Sequence, residues 1–117
     1  MAHLKLTIIL DSGARFGPGK AALLESVRDT GSIAAAARAM GMDYKRAWTL
    51  LDSLDRAYEA PLILRSAGGT HGGGATLTPF GAELLARFRR LEAEAVASDP
   101  GLVAFERLAR QDAGPKT

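Results

Sequence analysis

Gly31-Ser32-Ile33-Ala34-Ala35-Ala36-Ala37-Arg38-Ala39-Met40-Gly41-Met42-Asp43-Tyr44-Lys45-Arg46-Ala47-Trp48 is the stretch on which the fold turns. Ser32 can cap a helix whose alanine run has high helix propensity, Gly41 can end it, and Asp43 can cap the next. Ala37 stands four residues before Gly41. Two helices crossing at roughly 90–120° need a small side chain at closest approach and a glycine where the connecting turn becomes left-handed. The helix after Asp43 runs to about Tyr58, with Ala47, Leu50, Leu51, Leu54 and Tyr58 on one face. The opposite face carries Lys45, Thr49, Ser53 and Arg56, flanked by Arg46 and Asp52. An alanine-rich hairpin inside another small bundle is the competing reading, and the flanking elements argue against it.

Upstream, Leu4 to Leu10 alternates and is β-branched, which predicts a strand closed by Asp11-Ser12-Gly13. Pro18 suits a first helical position, and Ala21, Ala22, Leu23, Leu24 and Val27 predict a helix over 18–30 that stops at Gly31. Downstream, Pro61 ends the third helix, Leu62 to Arg65 reads as a strand, and Ala75 to Leu77 as its hairpin partner. Five of the nine residues from Ser66 to Gly74 are glycine, which lets backbone approach another surface closely, as a wing beside a DNA backbone requires. Thr78-Pro79 opens a fourth helix over 79–97, with Phe80, Leu84, Leu85, Phe88, Leu91 and Ala95 on its apolar side. Asp99-Pro100 interrupts it, and Leu102, Phe105 and Leu108 continue the pattern. The expected fold is mainly α with a small β component: a winged helix-turn-helix with a long C-terminal dimerisation helix. Residues 1–97 form that domain, with the dimerisation helix from about 79, and residues 98–117 form a helical extension and frayed tail.

The chain has 117 residues, enough for one domain and one core. Hydrophobic residues at 47% and charged residues at 24% suit a soluble globular chain, and the net charge of +2 leaves any basic patch to placement. There is no cysteine, which excludes disulfides and thiolate chemistry and suits the cytoplasm. Two histidines, His3 and His71, cannot build a His-rich metal cage. Neither a signal peptide nor a membrane span is readable. The glycine run lacks the Lys-Ser/Thr that a phosphate loop places after its last glycine, since Ala75-Thr76 follows Gly74. Neither histidine has a Ser and acid beside it in sequence. The expectation is a protein that is not an enzyme and carries no metal or cofactor.

In helix-turn-helix geometry the N-terminal end of the third helix enters the major groove of double-stranded DNA. Asp43, Tyr44, Lys45, Arg46 and Thr49 are the candidates there, with Lys45 and Thr49 the best base readers. Arg46 and Arg56 suit phosphates, which position a protein without specifying sequence; for Arg56 and Lys45 a merely solvated helix face is the alternative. Trp48, the single tryptophan, flanks the apolar arc and reads as a core-edge residue. Ser32 caps its helix, and the free amides there suit a phosphate. In the wing, Arg65 and His71 supply charge, and Thr70 with the Gly72 and Gly73 amides supplies donors.

Leu84, Phe88, Leu91, Ala95, Leu102 and Phe105 recur at coiled-coil-like intervals, interrupted at Pro100. Packing within the subunit is one reading, and a seam between two copies is the preferred one. A two-fold dimer would present its recognition helices about 34 Å apart to a pseudo-palindromic site.

The segments Gly31 to Ala37, Met42 to Trp48 and Gly68 to Thr78, leading into Leu77-Thr78-Pro79-Phe80-Gly81, in combination resemble the N-terminal DNA-binding domain of the molybdate-responsive ModE regulators. The resemblance spans roughly residues 4–97. A more distant similarity to the LysR-type winged helix covers 18–80. The resemblance implies a domain that dimerises through its N-terminal region and binds promoters of molybdate-uptake and molybdoenzyme genes. Carried over by position, Ser32, Tyr44, Lys45 and Arg46 contact DNA, with Arg65, Thr70 and His71 in the wing. His71 stands where a basic residue is common in the family, which implies a weaker or pH-dependent contact. Full-length family members continue into an oxyanion-binding domain for which this chain has no room, so molybdate sensing does not follow. The expected function is a homodimeric, sequence-specific transcription regulator that is constitutive or takes its signal from a separate sensor protein. The alternative is a sensorless interaction partner that heterodimerises through residues 80–110 with a full-length regulator and titrates it. A third is direct oxyanion sensing at the dimer interface.

Overall fold

The computed structural model describes residues 3–66, 74–97 and 101–110. The elements run β1 (Ile8–Ile9), β2 (Arg15–Phe16), α1 (Pro18–Thr30), α2 (Ile33–Ala39), α3 (Tyr44–Ala57), β3 (Ile63–Arg65), β4 (Ala75–Leu77), α4 (Pro79–Ala97) and α5 (Gly101–Glu106). This mainly helical order is a winged helix-turn-helix, with β3 and β4 as the wing.

Local chemistry sets the helix ends. Pro18 occupies the first turn of α1, where its missing N–H deprives no carbonyl of a partner. Gly31 closes α1 at φ +74°, its N–H bonded to the Val27 carbonyl at 2.8 Å. The Ser32 hydroxyl accepts from the Ala35 N–H at 3.0 Å and starts α2. Gly41 then takes φ +68°, a conformation that costs a residue with a β-carbon. The Ala37 carbonyl accepts from both Met40 and Met42, at 3.2 and 3.0 Å. The Asp43 carboxylate accepts from the Arg46 N–H at 2.7 Å and starts α3.

The core gathers Leu23, Leu24 and Val27 of α1, Ala36 and Ala37 of α2, Ala47, Leu51 and Leu54 of α3, Leu62, and the ring pair Phe16 and Phe88. Ala37 is buried at the α2–α3 crossing, as the spacing to Gly41 requires. The wing is antiparallel, with Ile63 opposite Leu77, Leu64 opposite Thr76 and Arg65 opposite Ala75. Its base is tied at two points: Ala75 N–H donates to the Gly31 carbonyl and Thr78 N–H to the Leu62 carbonyl, both at 2.9 Å. Ser66 and Gly74 pair at its mouth, N–H to carbonyl at 2.9 Å and Gly74 N–H to the Ser66 hydroxyl at 3.0 Å.

Two expectations are corrected. The strand predicted over Leu4 to Leu10 is confined to Ile8–Ile9, and its partner is Arg15–Phe16, a stretch between the Asp11-Ser12-Gly13 turn and Pro18 for which no element is expected. Phe88, expected on a seam between two copies, is only 2% exposed. It packs edge-on against Phe16, ring centres 4.9 Å apart, because the β1–β2 hairpin folds back over α4. Leu84 of that seam is half-buried against the same core.

Candidate nucleic-acid interface

At about 100° per residue, the buried Ala47, Leu51 and Leu54 turn α3 so that Lys45, Thr49, Ser53 and Arg56 point away from the core, and all four are exposed. Arg46 is exposed on one flank, Tyr44 and Trp48 on the other. Asp43, Lys45, Arg46, Thr49 and Leu50 surround a shallow depression at the start of the helix. Among the described residues, Lys45 and Arg46 enter no ion pair, so both charges are available to an anionic partner. The backbone amides without intrahelical partners at such a helix start add a favourable dipole end for phosphate.

The remaining sequence-predicted residues divide into groups. Ser32 and Asp43 serve their own helices as caps, through the bonds to Ala35 and Arg46. Arg56 reaches back to Asp52 at 3.0 Å while remaining largely in solvent. Arg65 is engaged within the protein, 3.2 Å from the Asp55 carboxylate and 5.6 Å from the centre of the Trp48 ring. Thr70, His71, Gly72 and Gly73 lie outside the described residues. The residues that sequence reasoning missed are Asp55 and, in this role, Trp48. Asp55 is separated from Arg65 by ten positions and no local pattern pairs them.

On the dimerisation list, Leu91 is exposed, Ala95 and Leu102 are half-buried, and Phe105 is 73% exposed. Beside Leu91 an apolar groove of about 280 Å³ opens between the β1–β2 hairpin and α4, lined by Ile8, Leu10, Phe16, Tyr58, Phe80 and Leu84. The direction of α4 is set from α1: Arg89 makes a bidentate pair with Glu25, at 2.7 and 3.1 Å, and reaches Glu92 at 2.7 Å. The hydrogen bond from Arg89 holds the Glu25 carboxyl below its usual value against the opposing effect of burial.

Among the described residues, no three His, Asp or Glu side chains converge where a metal could sit, and no helix is long and apolar enough to cross a membrane. What α3 and the wing present is an exposed cationic helix end beside a two-stranded ribbon. The family model of bacterial regulatory helix-turn-helix proteins, lysR family, matches residues 20–82. The chain belongs to that family. This LysR-family chain is similar to the molybdenum-pterin-binding protein MopB of Rhodobacter capsulatus, 44% identical over 82 residues, which are 70% of this chain and 30% of MopB. It is similar to the molybdenum transport protein ModE of Azotobacter vinelandii, 36% identical over 77% of this chain and 33% of that protein. The DNA-binding transcriptional dual regulator ModE of Escherichia coli (strain K12) is 34% identical over 72% of this chain and 32% of its own length. The chain thus spans about a third of the length of these curated relatives. Among solved structures, ArgP from Mycobacterium tuberculosis aligns at 26% identity and TM-score 0.49, over 68% of this chain and 29% of that one. The resemblance carried jointly by the Gly31 to Ala37, Met42 to Trp48 and Gly68 to Thr78 segments is to the same ModE regulators. What residues 20–82 supply is the helix-turn-helix of bacterial regulatory proteins of the lysR family.

Proposed function

We propose that two copies of the chain bind one pseudo-palindromic promoter site, α3 of each in successive major grooves, and that the genes controlled serve molybdenum uptake or use. The observation that carries this reading is the outward, unpaired placement of Lys45 and Arg46 at the start of α3. In that docking Lys45 and Thr49 read base edges, Tyr44 and Arg46 meet the backbone at the groove's edge, and Arg56 stays near phosphate. Residues 1–97 carry DNA binding, and the segment from about 79 onward carries association. Exposed Leu91, Val96, Val103, Phe105 and Leu108 support association, because nothing in the described subunit covers them. The molybdenum assignment draws on the names of the relatives.

The test is to incubate purified protein with fragmented genomic DNA at physiological salt and sequence what is retained. Enrichment of a pseudo-palindrome with half-sites about one helical turn apart, or a multiple, near molybdenum genes is the expected result. Retention without a motif would leave only the electrostatic, sequence-independent term and overturn the reading.

A further inference from the structure

One carboxylate joins the wing to the recognition helix. Asp55, in the last turn of α3, directs both oxygens at β3 and its approach: Oδ1 accepts from the Leu62 N–H at 2.8 Å and Oδ2 from Arg65 Nη1 at 3.2 Å. The Asp55 side chain is 17% exposed and that of Arg65 is 32% exposed. The Arg65 guanidinium also lies over Trp48, two turns before Asp55 on the same flank of α3. The charge and the planar face of the Arg65 guanidinium are therefore both answered from within the protein.

The wing needs such a support. A ribbon of two three-residue strands has too little of its own to hold a direction. The bonds of Ala75 to Gly31 and of Thr78 to Leu62 fix its base. Arg65 is the last residue of β3, the point farthest out along that strand, and the only ties it makes to α3 among the described contacts are those to Asp55 and Trp48.

We infer that Asp55, Arg65 and Trp48 form a brace that sets the wing against the recognition helix, so that Arg65 is a positioning residue for DNA binding rather than a phosphate contact. The inference rests on the DNA-binding reading of α3. The two roles predict opposite signs at Asp55. If Arg65 held a phosphate, Asp55 would weaken that contact by neutralising it, and its removal would tighten binding. If Arg65 is a strut, removing Asp55 lets the wing drift and weakens binding.

The experiment compares the unsubstituted chain with Asp55→Asn, Arg65→Gln and the double variant, each shown to be folded by circular dichroism. Asparagine keeps an oxygen for the Leu62 N–H and removes only the charge facing Arg65. Affinity is measured across salt concentrations on the duplex enriched in the genomic selection and on a mixed-sequence duplex. The brace predicts that each single variant loses up to about fivefold in affinity, the scale of one ion pair, that the double variant loses no more than the weaker single, and that the salt slope is unchanged. Trp48, the single tryptophan, should change its emission in both single variants. Tighter or equal binding by Asp55→Asn, with Arg65→Gln lowering the salt slope by about 0.9, would overturn the brace. Should Asp55→Asn not fold, Arg65→Lys decides: it keeps the charge but loses the planar stack, so binding at the unsubstituted level overturns the brace and a loss equal to Arg65→Gln upholds it. If the unsubstituted chain itself binds neither duplex, it is the DNA-binding reading that fails.

Discussion

Gly81 lies directly on the carbonyl of Leu62, so that the first turn of α4 meets the approach to the wing backbone to backbone. A β-carbon at Gly81 would stand 3.0 Å from both the carbonyl carbon and the α-carbon of Leu62, and nearer still to the oxygen. That oxygen already accepts from the Thr78 N–H at 2.9 Å, and the Thr78 hydroxyl accepts from the Gly81 N–H, also at 2.9 Å. Gly81→Ala must push α4 off β3, with no flexible side chain to absorb the shift. Overpacking of this kind costs about 1–3 kcal/mol. The expected result is a lower urea midpoint with an unchanged m-value; an unmoved midpoint would show that the two backbones can separate freely.

Asp43 combines a cap with a charge at the helix end that the proposed docking turns toward DNA. Its carboxylate accepts from the Arg46 N–H at 2.7 Å. Asp43→Ala removes the cap and should cost about 1 kcal/mol in thermal or urea unfolding, whereas Asp43→Asn keeps an equivalent acceptor and should cost almost nothing. On DNA, Asp43→Asn removes a negative charge close to phosphates and should tighten binding at low salt. Weaker binding by Asp43→Asn would instead mark the carboxylate as a direct acceptor from a base.

Lys45 and Arg46 are adjacent in sequence, yet the helix sends them in different directions. Lys45 shares its face with Thr49 and Arg56, while Arg46 sits on the flank. Lys45→Ala should cost roughly 1–3 kcal/mol on the preferred sequence and relax base preference; Arg46→Ala should weaken all sequences about equally and reduce the salt slope by about 1. Titration of both variants on the enriched and the mixed duplex checks the pair. Equal losses on both duplexes for Lys45→Ala would make it a phosphate contact.

The difference between what was legible and what was not follows the range of the interaction. In bounding their helices, Pro18, Gly31, Ser32, Gly41, Asp43 and Thr78 act within a few residues of themselves, and those helices were readable from the sequence. So were the wing strands, because Pro61 and the glycine run isolate them. The β1–β2 ladder was not readable, since two short strands carry no periodicity and Phe16 finds its partner at Phe88, far along the chain. A helical stripe such as Leu84, Phe88 and Leu91 reports that something covers it, and periodicity alone cannot name the cover. The exposed cations of α3 followed from its amphipathic period, whereas the capture of Arg65 by Asp55 and Trp48 required the wing to be folded back first.

The Glu25–Arg89 pair makes a further stability term depend on pH. The Arg89 hydrogen bond is the main cause that holds the folded-state pKa of Glu25 below 4.5, its ordinary value. A depressed carboxylate contributes stability that is fully present above the unfolded value and is lost as pH falls through the folded one. Both side chains are about one-third exposed, so solvent screening keeps the contribution below about 1 kcal/mol. Glu25→Gln should therefore be less stable than the unsubstituted chain near neutral pH, and urea unfolding at successively lower pH should show the gap closing below about pH 4.5. A gap that persists in full to about pH 2 would mean that packing of the Glu25 stem, not its charge, supports α4.

Phe88 and Phe105 separate the core of one subunit from the proposed association of two. Phe88 is buried against Phe16, and its removal opens a cavity, so Phe88→Ala should cost about 3–5 kcal/mol in urea unfolding. Phe105 is 73% exposed and Leu108 82% exposed, and neither supports the fold of the subunit that carries it. Phe105→Ala should leave the unfolding of the dilute, dissociated chain unchanged and weaken the dimer measured by sedimentation equilibrium. Weaker association should in turn make DNA binding more dependent on protein concentration, because in the proposed complex one dimer holds two half-sites. If Phe105→Ala leaves self-association as strong as before, α5 lies outside the contact, and Leu91 with the neighbouring groove becomes the place to substitute next.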